Sequence, residues 1–168
     1  MWKFHKKLNL PAYISGDKWS HTFELTSEEN SEVQHAFRMF KNHKVDPKYA
    51  DEIKRCITAH GLYNHTNIQI SRCAYISNKE NIVMYIDKAI TSISKAYSIF
   101  PIPIYVYDLA CLQEMSDNKD KAKDTFNVFL KLQSKFIPSR LQQIEVESQS
   151  IDIEEAIMQA RIRVASKN

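Results

Sequence analysis

The chain is expected to be all-α, built from antiparallel helix–turn–helix pairs stacked on one another. Three observations predict this. Apolar residues recur at i, i+4, i+7 and i+8 in several stretches, the period of an amphipathic helix. The breaks between stretches are short, which makes neighbouring helices antiparallel. The 168 residues also hold only two glycines and five prolines, a usage suited to helices with short connections. The same scarcity excludes phosphate-cradling loops and dinucleotide turns, which need glycines where the backbone approaches the ligand.

Residues 1–27 read as an irregular arm, with Pro11 and Gly16 breaking any helix and Trp2, Tyr13, Trp19 and Phe23 packing it. Within it HTFEL alternates like one short strand. Helical pattern begins after Thr26 or Ser27, either of which can cap a first turn holding Glu28 and Glu29 at the positive dipole end. Val33, Phe37 and Phe40 form its stripe. After a break at KVDP, Asp46 is a good N-cap with Pro47 at the first helical position. Ile53, Cys56 and Ile57 face inward, and Gly61 is placed to end that helix.

TNIQISRCAYIS is a further helix, followed by a turn at NKEN and the long helix NIVMYIDKAITSISKAYSIF. There Val83, Ile86, Ile90, Ile93 and Tyr97 make one stripe and Ile82, Ala89 and Ala96 a second, so this helix is expected to touch neighbours on two sides. Pro101 and Pro103 stop it. PIYVYDLACLQEM, the turn SDNK and KDKAKDTFNVFLKLQSKF make the next pair. The last runs from Pro138 and Ser139 through SRLQQIEVESQS to IDIEEAIMQARIRVA. The helical domain thus covers 28–168, in pairs of about 28–62, 63–101, 102–138 and 139–168.

Composition narrows the function classes. Hydrophobic residues make up 43% and charged residues 26%, with 23 basic against 20 acidic side chains for a net +3. No segment carries the dense Lys/Arg footprint that nucleic acid requires as a main partner. No apolar run is long enough to span a membrane, and the basic N-terminus lacks the apolar core of a secretory signal. Cys56, Cys73 and Cys111 are odd in number and widely spaced, which argues against a disulfide framework or a zinc site. Free thiols of this kind fit a reducing cytoplasm.

Three helices carry an alanine at nearly constant spacing: Ala89, Ala122 and Ala156, 33 and 34 residues apart. Ile93 and Ala96 follow Ala89 at +4 and +7, with Pro101 at +12. Phe126 and Phe129 follow Ala122 at +4 and +7, and Ala160 follows Ala156 at +4. Leu109 and Ala110 lie upstream of Ala122. In these residues the chain resembles the tetratricopeptide repeat family, whose helix–turn–helix unit has a 34-residue period. A methyl side chain lets two axes approach, and a bulky neighbour fills the groove beside it. The best match is 104–138, and coverage runs over roughly 84–165. Ile144 stands where a small residue is usual, and 28–62 lacks the signature.

The resemblance implies a short right-handed superhelix with a concave groove lined by the first helix of each unit. The lining positions would be Tyr107, Asp108, Cys111 and Met115, then Gln142 and Glu145, preceded by Ile70, Ser71 and Ala74. Some members of the family clamp a C-terminal carboxylate with Lys and Asn at such places. Tyr107 and Cys111 stand there instead, so that mode is not supported. Asp108, Glu114 and Glu145 lean the groove acidic, which suits a basic segment.

No catalytic constellation is visible. The histidines at 5, 21, 35, 43, 60 and 65 form no HExxH or i, i+4 pair and read as surface residues, and no metal or cofactor is expected. Cys111 has no nameable base. The expected function is a non-enzymatic scaffold holding a protein or peptide segment. The alternatives are a secretion- or assembly-type chaperone for an unfolded segment, and an enzyme or nucleic-acid binder whose chemistry sits in 1–62.

Overall fold

A computed structural model describes residues 24–40 and 47–166. Most of the expected arm, with its four aromatics and the start of HTFEL, lies outside the described residues, as does Asp46. Among the described residues the regular structure is seven α-helices and one turn of 3-10 helix.

Helix α1 (Ser27–Phe40) starts at Thr26, and a capping box settles which residue is the cap. Glu29 N–H donates to Thr26 Oγ1 at 3.2 Å while Thr26 N–H donates to the Glu29 carboxylate at 2.9 Å. This satisfies two of the donors a helix N-terminus leaves open. Val33, Ala36 and Phe37 are buried. Pro47 does not begin an α-helix but a 3-10 turn (Pro47–Tyr49) that leads into α2 (Ala50–Cys73).

Helix α2 corrects the largest expectation. It does not stop at Gly61 but runs 24 residues straight through it, merging two expected helices. The reason is steric. A Cβ on Gly61 would lie 2.6 Å from Val33 Cα and 2.9 Å from Val33 N, so this glycine is where α1 crosses α2 backbone to backbone. The division at 62/63 therefore does not exist, and α2 is the partner of both α1 and α3.

Helix α3 (Lys79–Ile99) is capped by Asn78, whose side chain accepts from Glu80 N–H at 2.9 Å. It packs on α2 at one side and α4 at the other, as its two stripes require. Ile86, Ala89, Ile93 and Ala96 are buried, but Val83 is 47% exposed and belongs to the outer face. Pro103 opens α4 (Pro103–Met115) at a position where a missing N–H is harmless. Helix α5 (Lys119–Ser134) follows a turn with Asp117 at φ 65°. Ser139 and Gln142 form a capping box for α6 (Arg140–Glu147), and Asp152 caps α7 (Ile153–Ala165).

Successive helices pack from α1 to α5, α7 lies on α5 and α4, and α6 reaches back to α2. One buried cluster extends from Leu25 to Ala160, and Ala89, Ala122 and Ala156 all sit inside it. No described helix is long and apolar enough to cross a membrane.

Gly61→Ala is expected to destabilise the protein by about 1–3 kcal/mol through overpacking. Alanine's advantage of about 1 kcal/mol in a helix interior does not offset a clash with backbone. Urea denaturation measures this, and an unchanged or raised midpoint would show that the crossing relaxes freely.

Candidate functional site

The six expected groove residues have very different surroundings. Tyr107 is only 7% exposed. Its ring stands edge-on to Phe126 and Phe129 at centroid distances of 5.6 and 5.4 Å. Burial, and then Cys111 beside it, raises its hydroxyl well above the usual range. Cys111 is half-buried, and burial pushes its thiol up to about 11. Asp108 keeps one carboxylate oxygen shut from solvent without a hydrogen-bond partner, and burial pushes the group up to about 7. Gln142 is occupied in capping α6. Met115, 46% exposed at the end of α4, is the one of the six that presents an open surface. Tyr107 and Glu145 are turned into the fold instead, because α4 is enclosed by α3, α5 and α7 while α6 packs on α2.

Glu145 organises the first of two buried polar centres. Both its oxygens lie 3.0 Å from His60 Nδ1, Tyr105 O–H donates to Oε2 at 2.9 Å, and Gln149 Nε2 donates at 3.3 Å. Three helices, α2, α4 and α6, are thereby tied to one carboxylate that is 2% exposed. Burial alone would lower the His60 pKa, but Glu145 outweighs it and holds the imidazolium above its ordinary value. Cys56, fully buried next to this carboxylate, is kept firmly as a thiol by burial and by the charge of Glu145. The centre ties three helices together, with its thiol held in the neutral form.

The second centre joins α1, α2 and α3. Arg72 donates to Gln69 Oε1 at 3.2 Å, which turns the Gln69 amide nitrogen to His65 Nε2 at 2.9 Å. His65 Nε2 must then accept, so the ring proton sits on Nδ1 and donates to Ser92 Oγ at 2.7 Å. Ser92 donates in turn to Glu29 Oε2 at 2.6 Å, and Lys95 donates to Glu29 Oε1 at 2.6 Å. A nucleophilic serine would give its proton to the ring. Ser92 gives its proton to a carboxylate, so this chain of bonds orders the helices. Burial would raise Glu29, but Lys95, Ser92 and Thr26 N–H outweigh it and hold the carboxyl below its usual range. Burial lowers His65. Both His60 and His65 thus depart from the surface reading.

This second centre forms the floor of an open groove, about 780 Å³ in volume, between the start of α1 and the outer face of α3. Glu80, Val83, Met84, Asp87, Lys88 and Thr91 recur at helical spacing along its wall, and all six are exposed. Val83 and Met84 are 47% and 41% exposed, flanked by Glu80 and Asp87. Neither of those two carboxylates is paired with a cation among the described residues. Glu28 at the rim is held by Arg72. The sequence offered Thr26 or Ser27 as the cap and placed Glu29 in the first turn. Nothing local pointed to Ser92 and Lys95 as the partners of Glu29, 63 and 66 positions away. Among the described residues no group of three or more His, Cys, Asp or Glu is placed to hold a metal ion.

The two histidines give opposite pH dependences. His60, raised, adds stability that is fully present below about pH 6.5 and lost as pH rises through its folded value. His65, lowered, adds stability present above about pH 6.5 and lost on acidification. His60→Gln should therefore lower the thermal midpoint most in mild acid and least at alkaline pH, and His65→Gln the reverse. Parallel pH profiles for the two variants would contradict these assignments.

No family model matches the chain, and no curated protein and no solved structure matches it either.

Proposed function

We propose that the protein is a non-enzymatic helical binding module, and that the groove between α1 and α3 holds a basic segment bearing apolar or aromatic side chains. The observation that carries this is the outer stripe of α3. Val83 and Met84 stand exposed between Glu80 and Asp87 over an open groove, while the opposite face of the same helix is buried core. An apolar strip between unpaired carboxylates is matched by a segment that alternates lysine or arginine with large apolar residues. Burial of the apolar groups supplies the affinity, and the charges supply orientation and speed of encounter. The tetratricopeptide-like spacing of Ala89, Ala122 and Ala156 supports a binding role, since stacks of such units present long surfaces to extended segments. The acidic character expected of the groove is kept in this reading, but its place moves from α4 and α6 to α1 and α3.

The test uses the peptide KFKKLKF and its glutamate counterpart EFEELEF as probes. The basic peptide is expected to bind, and Glu80→Lys with Asp87→Lys should weaken it by at least about tenfold, as juxtaposed like charges do. Both residues are exposed, so the thermal midpoint should stay near that of the unaltered chain. Raising the salt should weaken binding in the same direction. Equal affinity for the two peptides, or for the two proteins, would refute the reading.

A further inference from the structure

We propose that residues 1–23 of this same chain occupy the α1–α3 groove, so that the module carries its own competing ligand; this rests on the binding role assigned to that groove above. Three observations converge on it. The first is charge. Lys3, Lys6, Lys7 and Lys18 against Asp17 give residues 1–23 a net +3, while the groove wall presents Glu80 and Asp87 without a paired cation among the described residues. The second is apolar complementarity. Trp2, Phe4, Tyr13, Trp19 and Phe23 are interleaved with those lysines, the combination that a Val83–Met84 strip between carboxylates selects.

The third is connection. The chain passes from residue 23 directly into the groove's edge. Thr26 and Ser27 line the groove. Just before them Glu24 takes a left-handed turn at φ 52°, and its carbonyl accepts from Lys95 Nζ of α3 at 3.0 Å. The backbone is thus held against α3 at the point where the arm begins. The stripe from Glu80 to Thr91 is about 17 Å long at 1.5 Å per residue. An extended arm covers that with five or six residues at about 3.3 Å each, so 23 residues reach every part of it. Tethering gives the arm an effective concentration on the order of millimolar, so weak intrinsic affinity suffices for occupancy. A partner segment would have to displace it, which makes the arm a regulator of the site.

The experiment uses the full chain. Trp2 and Trp19 are its two tryptophans, so tryptophan emission, excited at a wavelength where tyrosine does not absorb, reports on the arm alone. In the Glu80→Lys, Asp87→Lys protein the emission should shift to the red and acrylamide quenching should rise. Met84→Asp should act in the same direction, with circular dichroism confirming that each variant is folded. In a second arm of the experiment, Lys3→Gln, Lys6→Gln and Lys7→Gln in the full chain should tighten KFKKLKF binding by about tenfold if the arm holds the groove about nine-tenths of the time. Emission and quenching unchanged in both groove variants would overturn the proposal. So would emission that depends on protein concentration together with a dimer in sedimentation, which would place the arm in a second copy. If the tryptophans report no contact while KFKKLKF still discriminates the charge-reversed protein, the arm's role fails and the binding role stands. If the peptide discriminates neither, both fail.

Discussion

The close packing of α1 on α2 depends on Gly61 having no side chain, and α2 runs unbroken through that crossing. The backbone of α1 at Val33 lies where any Cβ would stand, and this contact decides how the first two helices cross. Continuity of α2 then has consequences at both ends. Upstream of the crossing it carries Cys56 and His60, with Tyr63 just beyond, to the side where α6 arrives. Further along it carries His65, Gln69 and Arg72 to the side where α1 and α3 meet. A helix that stopped at Gly61 would leave those two sets of groups free to rotate against each other. One unbroken helix sets them in a fixed phase.

Each of the two polar centres is built around one deeply buried carboxylate, and each solves the same difficulty. An ionised carboxylate away from water is costly unless its lone pairs are filled by donors. Glu29 receives Lys95, Ser92 and Thr26 N–H, and Glu145 receives His60, Tyr105 and Gln149. The two differ in the cation. Glu29 has Lys95, and burial lowers the pKa of the neighbouring His65. Glu145 has His60, whose own charge depends on pH. In the first centre the thiol of Cys56 is buried, and in the second the hydroxyl of Ser92 donates to Glu29 at the floor of the groove. One open surface is the wall of α3 above Glu29. The interior there is a continuous chain of hydrogen bonds, and the exterior is an amphipathic strip with unpaired carboxylates.

Much of the architecture was legible locally. Pro103, the SDNK turn, the Ser139 restart and the start of α7 all fall where sequence rules put them, because caps and breakers act within one turn of helix, whereas α3 already begins at Lys79, inside the expected NKEN turn. The burial of Ala89, Ala122 and Ala156 was legible too, since each lies on the apolar stripe of its helix. Gly61 was misread because a glycine that ends a helix and a glycine that admits a crossing helix look alike until the crossing partner is known. Val83 was misread because a single valine on a charged face fits an apolar stripe equally well by period. The candidate site was the least legible part, since Glu29, His65, Ser92 and Lys95 come from three separate helices.

The amino-acid sequence by itself determined that this chain is helical, where most of its helices begin and end, and which small residues go inside. Those properties follow from backbone hydrogen bonding, capping and the 3.6-residue period, which operate over a few neighbouring positions. Tertiary structure alone decided that α2 is one helix, that Tyr107 and Glu145 are enclosed, that His60 and His65 shift in opposite directions, and that the open groove lies against α3. Those outcomes depend on which helices pack side by side. Only packing over long sequence separations sets the burial, the hydrogen-bond partners and the unpaired charges that make a surface available for binding.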